Sequence, residues 1–170
     1  MKPFLSMLIA GVLFVSVAQA QPRLGKAVLA FHAPSIGGPN GEVFLTGGGT
    51  VDARSGFAKP GGGFRCTQDI LQGPLAGCRA GEGIRWQVSD VLPSSGFKCG
   101  GSATEPLKTA VTDDDTIVLQ VDFYRIADGA NPSFSAKIFV SEQDEDPDQP
   151  GVQNVWIQGV GCGEARVNLH

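Results

Sequence analysis

Three aspartates in one short loop are the residues of this chain best placed to do chemistry. Asp144, Asp146 and Asp148 alternate within residues 141–148 (SEQDEDPD), so an extended backbone turns all three carboxylates to one side. Calcium takes about six to eight oxygen ligands and accepts such loops, which makes the three aspartates its candidate ligands. The loop departs from the helix–loop–helix calcium pattern, because Gln149 stands where the turn glycine belongs and no Glu closes it. A solvated hairpin loop, or a docking patch for a basic partner, is the competing reading.

A second acidic run, Asp113-Asp114-Asp115, directly precedes an apolar stretch. Aspartates in such a turn commonly cap their own backbone. The run gains functional weight if it lies beside the first loop. Together the two clusters hold eight of the 17 acidic residues. The rest of the chain is slightly basic, with no clustered Lys/Arg stripe, and this argues against nucleic-acid binding.

Other constellations are weaker. His32 ends the first apolar run and His170 ends the chain. Were the first and last strands neighbours, the two imidazoles could meet as a copper or general-base site. Asp122, Glu82 and Glu105 are available carboxylates for a hydrolase, but nothing in their spacing pairs them. No G-x-S-x-G elbow and no G-K-[ST] phosphate loop occurs. Trp86, Trp156, Tyr124, Phe64 and Phe97 would make a carbohydrate-stacking platform if exposed, and are core residues otherwise.

The elements that must position these residues are strands. With 24 glycines and 11 prolines in 170 residues, a mainly helical fold is hard to build, since each interior Gly costs a helix about 1 kcal/mol against Ala. Residues 116–126 (TIVLQVDFYRI) place Ile117, Leu119, Val121 and Phe123 on one face, and 134–140 alternate in the same way. Further strands are expected at 27–32, 42–52, 64–66, 152–160 and 165–169, whereas 67–104 shows no clean period. Two glycine triplets, 47–49 and 61–63, interrupt strand patterns and mark bulges, bends or close backbone approach. The expected architecture is all-β, a single-domain antiparallel sandwich or flattened barrel of seven to nine strands.

Residues 1–20 read as a signal peptide: Lys2, an apolar run from Phe4 to Val17, then Ala18-Gln19-Ala20 as a cleavage site. Residues 21–170 then form one exported β domain, periplasmic or extracellular. No second apolar run approaches the roughly 20 residues of a membrane helix. Export agrees with an even number of cysteines, Cys66, Cys78, Cys99 and Cys162, which favours two disulfides. No C-x2-C pair is present to hold zinc. We expect Cys66–Cys78 across the Gly73-Pro74 turn, and Cys99–Cys162 tying the unpatterned middle to the C-terminal meander. One echo, Gly63-Phe64-Arg65-Cys66 and Gly96-Phe97-Lys98-Cys99, is either a pair of equivalent strands or chance.

The expected function is that of a non-catalytic binding or structural domain without cofactor, with a carbohydrate or protein as ligand. The alternatives are a calcium-assisted adhesion or surface domain, and a small barrel-type hydrolase, lyase or isomerase. The leader generates a direct prediction: intact-mass analysis of the exported protein finds a chain beginning at Gln21, and a mature chain retaining Met1 would remove the argument for export.

Overall fold

A computed structural model describes residues 25–170 apart from Pro39, Ala53 and Arg54. The expected leader and its cleavage site lie outside the described residues. The strands, in chain order, are β1 (Lys26–Gly38), β2 (Gly41–Asp52), β3 (Phe57–Ala58), β4 (Gly61–Cys66), β5 (Arg85–Leu92), β6 (Ser94–Phe97), β7 (Lys108–Val111), β8 (Thr116–Tyr124), β9 (Phe134–Ser141), β10 (Val155–Ile157) and β11 (Gly161–Leu169).

Eight of them form a closed antiparallel barrel. β1, β2, β4, β5, β8, β9, β10 and β11 each pair with the next, and β11 returns to β1. Closure leaves the main sheet without a long open edge, which an antiparallel meander otherwise exposes. The expected strand count covers the barrel itself. The short β3 and the β6–β7 hairpin are additional, and the hairpin, which follows β5 in the chain, folds back over the outside of β8, β9 and β10.

The period-two segments fall where their alternation requires. Ile117, Leu119, Val121 and Phe123 of β8 point inward, as do Ala136, Ile138 and Val140 of β9, and all are fully buried. Charged side chains such as Arg65, Arg85, Asp122 and Lys137 alternate with inward residues along the same strands. Apolar inside and polar outside is the reverse of a membrane-spanning barrel. No helix among the described residues is long and apolar enough to cross a membrane.

The stretch without a clean period contains β5, a full barrel strand. Its alternation is masked by a register shift between Val88 and Asp90, since one extra residue reverses which face each following side chain takes.

β5 also explains the glycine triplets. Around one level of the barrel the paired residues run Phe31, Gly47, Gly62, Trp86, Phe123 and Phe134. The Trp86 indole lies across the two glycines, its ring centre 5.8 Å from that of Phe31. Its Nε1–H donates to the Thr46 carbonyl at 3.0 Å. A Cβ on Gly47 would collide with Cζ2 of the indole, and one on Gly62 with the Thr46 carbonyl and the Cα of Gly47. Large and small residues therefore complement one another in a layer with no space for a ligand.

A second, smaller core lies outside the wall. Val118, Phe139 and Trp156 project outward from β8, β9 and β10, and the β6–β7 hairpin covers them with Phe97 and Ala110. Phe139 stacks on Trp156 at 6.0 Å between centroids. The four-residue echo is thus not a pair of equivalent strands, because β4 is part of the wall and β6 part of the outer hairpin.

The indole layer can be tested by a mutant cycle. Gly47→Ala should lose about 1–3 kcal/mol of unfolding free energy, the usual cost of overpacking. Part of that loss should vanish in a Trp86→Phe background, which removes Cζ2, while the part due to the Gly61 carbonyl, 2.8 Å from the added Cβ, should remain. Gly62→Ala should stay costly in either background, because its obstruction is backbone. Urea unfolding of the five variants measures both coupling terms.

Candidate functional site

The structure joins Cys66 to Cys78 and Cys99 to Cys162, the pairing favoured on sequence. Two disulfides accord with folding in an oxidising environment.

The carboxylates and histidines are dispersed. Asp122 lies on the outer face and accepts from Ser135 Oγ. Glu82 accepts from Arg125 at 3.2 Å and from the Arg79 amide at 3.0 Å, and hydrogen bonding, from that amide first, lowers its pKa. Glu105 binds the amides of Cys99 and Gly100 at 2.7 and 3.0 Å. Barrel closure does bring β1 beside β11. Yet His32 faces Arg166, while the His170 backbone pairs with Val28. Four residues of strand, about 13 Å, separate the two positions. His32 instead packs edge-on against Phe44, with centroids 5.5 Å apart.

The aromatic platform does not form. Trp86, Trp156, Tyr124, Phe64 and Phe97 are all buried. Two large inward rings, Trp156 under the hairpin, Phe97 on the hairpin's own covered face, and Tyr124 beneath the Arg85 guanidinium (4.5 Å) leave no stacking row for a sugar.

The two acidic clusters do meet. The Glu142 amide donates to the Asp115 carbonyl at 2.9 Å, and Gln143 Nε2 to Asp115 Oδ2 at 2.6 Å. Asp113 Oδ1 caps the amides of Asp115 and Thr116 at 3.0 and 2.9 Å, so this turn is self-capped. In the longer loop, Asp144 Oδ1 caps the amides of Asp146 and Gln153 at 3.1 and 3.0 Å. Asp146 is fully buried and ion-paired with Lys108. Asp148 is exposed and reaches the same ammonium at 2.7 Å. Lys108 thus supplies the positive charge between Asp146 and Asp148, and hydrogen bonds from Asp146 first and then Asp148 raise its pKa above the ordinary 10.5. Among the described residues, no three His, Cys, Asp or Glu side chains are grouped to hold a metal.

What converges instead is a cleft of about 410 Å³ between the hairpin and one end of the barrel. Its walls include Asn40 from the β1–β2 turn, Gln72 and Gly73 from the loop closed by Cys66–Cys78, and Lys98 beside Cys99. Lys137, Gln158 and Gly161 complete them from β9, the β10–β11 turn and the start of β11. Trp156 forms part of the lining, and its Nε1–H donates to the Lys98 carbonyl at 3.1 Å. Glycine is required where the two loops touch. Gly73 (φ 82°) and Gly159 (φ 81°) lie back to back, and a Cβ on Gly73 would approach the Gly159 Cα to 2.8 Å.

A second trough, of about 610 Å³, runs past Pro34, Phe44, Ile84 and Ile126 on the outer wall. Its lining is mainly apolar, with only Arg65 and Thr67 as polar side chains. The cleft beside the hairpin combines a concave form with several converging polar groups, the usual build of a small-ligand site. None of its polar residues was singled out by sequence as a binding residue, and Lys98 drew notice only as part of the four-residue echo. They lie far apart in the chain, and no local pattern links them.

Comparison with protein-family models, curated proteins and solved structures finds no match to this chain.

The buried acid gives the stability prediction. Lys108→Met strands the Asp146 carboxylate away from water without its counter-charge, an expensive state, and should lower the melting temperature by several degrees. Adding Asp146→Asn should restore part of the loss. Because the Lys108 pKa is raised on folding, its contribution is complete below the ordinary value of 10.5 and disappears as pH rises through the higher folded value. Thermal melts of native protein and Lys108→Met should therefore converge at strongly alkaline pH.

Proposed function

We propose that this chain is an exported, non-catalytic binding domain, periplasmic or extracellular, whose ligand occupies the cleft between the β6–β7 hairpin and the barrel end. One observation carries this reading: both disulfides brace the walls of that cleft. Cys66–Cys78 closes the loop bearing Gln72 and Gly73, while Cys99–Cys162 links the residues next to Lys98 and Gly161. Crosslinks so placed hold a site in its bound form before the ligand arrives, which lowers the ordering cost of association. A filled interior directs binding to the outer surface rather than to the barrel lumen. Binding is preferred to catalysis because the available carboxylates and histidines are engaged separately.

Fragment screening by crystallography, or by amide-shift mapping in solution, tests the proposal. Hits should concentrate on residues 95–98, 72–73 and 158–161. Hits confined to the Phe44–Ile126 trough would refute the assignment of the site, and chemical turnover of any hit would refute the non-catalytic reading.

A further inference from the structure

We propose that the cleft recognises an oxyanion group, a carboxylate or phosphate, on a small ligand, with Lys98 and Lys137 as its counter-charges. The inference rests on the reading of the cleft as the binding site and adds the chemistry of what enters it.

The chain holds 17 acidic residues against 13 basic ones, yet the cleft is lined by two lysines and no Asp or Glu. Neither lysine is neutralised by the ion pairs among the described residues, which involve Lys108 and Arg125. The Lys98 ammonium donates to the carbonyls of Ser102 and Ala103 at 3.1 and 3.3 Å. An ammonium has three N–H groups, so one remains. The Lys98 carbonyl is fixed by Trp156. Glu105 is the acid nearest in sequence to Lys98 on this loop, and its two oxygens are occupied by the Cys99 and Gly100 amides.

Gln158 adds a donor by chemical necessity. Its Oε1 accepts the backbone N–H of Lys137 at 3.2 Å, which leaves the amide NH2 of the same side chain for another partner. Two unpaired cations and an amide donor in one concavity of an acidic protein concentrate positive potential where an anion is drawn in. Leu107, 69% exposed, stands at the rim and offers apolar contact to whatever carries the charged group.

Titration of the folded chain with trigalacturonate, inorganic phosphate and neutral galactotriose tests the inference. At least one anionic probe should shift the amides of Lys98, Lys137 and Gln158, with affinity falling as salt rises. Binding of phosphate alone assigns the recognised group to a phosphate-type oxyanion; preference for trigalacturonate assigns it to a carboxylate. Lys98→Gln and Lys137→Gln should each weaken binding roughly tenfold, the loss of one charge-assisted hydrogen bond, with an unchanged melting temperature for Lys137→Gln and a small fall for Lys98→Gln, which also gives up bonds to the Ser102 and Ala103 carbonyls. Equal binding of the neutral trisaccharide, with no effect of either substitution, would overturn the oxyanion inference and leave the cleft as a binding site. If neither these probes nor any fragment perturbs the cleft, the parent reading fails as well.

Discussion

The barrel closes because one indole has somewhere to go. Trp86 is the largest side chain in the interior, and it lies over Gly47 and Gly62 on the neighbouring strands. An eight-stranded barrel has an interior just wide enough for side chains. A ring of that size is therefore admitted only where its neighbours give up theirs. The same two glycines let β2 and β4 approach closely, and Phe31 then meets the indole from the other side. Remove the complementarity and either the ring or the ladder has to move.

Closure has a consequence for function. With the lumen filled, the parts of the molecule that can form a concave surface are outside it: the hairpin that follows β5 in the chain, and the loops at the barrel ends. The hairpin is held to the wall by three different means. An aromatic cluster of Phe97, Phe139 and Trp156 packs beneath it, the Cys99–Cys162 bridge pins its far loop, and Lys108 ties β7 to the buried Asp146. Burial without a counter-charge would be costly for that carboxylate, so the acidic loop and the hairpin are energetically one unit. The cleft is the seam left between this unit and the barrel end.

Legibility in the sequence followed the range of the interaction. The strands β8 and β9 declare themselves through alternation because one face of each meets the core along its full length. β5 does not, since its register shift moves later side chains to the other face. Outward positions such as Val118, Phe139 and Trp156 are apolar for a reason that no strand period contains, namely the hairpin above them. The aspartate triplet was readable as a self-capped turn because capping spans only two or three residues. The neighbouring loop invited a cation on the same local evidence. Its Asp146 and Asp148 meet Lys108, which stands about forty positions earlier in the chain.

What the sequence determined by itself is the local part: strands from period-two alternation, turns from Gly and Pro, and an even cysteine count that favoured one of three disulfide pairings without deciding it. Barrel closure, the fit of Trp86 to two glycines, and the meeting of Lys98, Lys137 and Gln158 were decided by tertiary structure. The physical reason is that each depends on contact between segments distant in the chain. Strand pairing sets those contacts, and no local pattern of residue types displays which distant segments will pair.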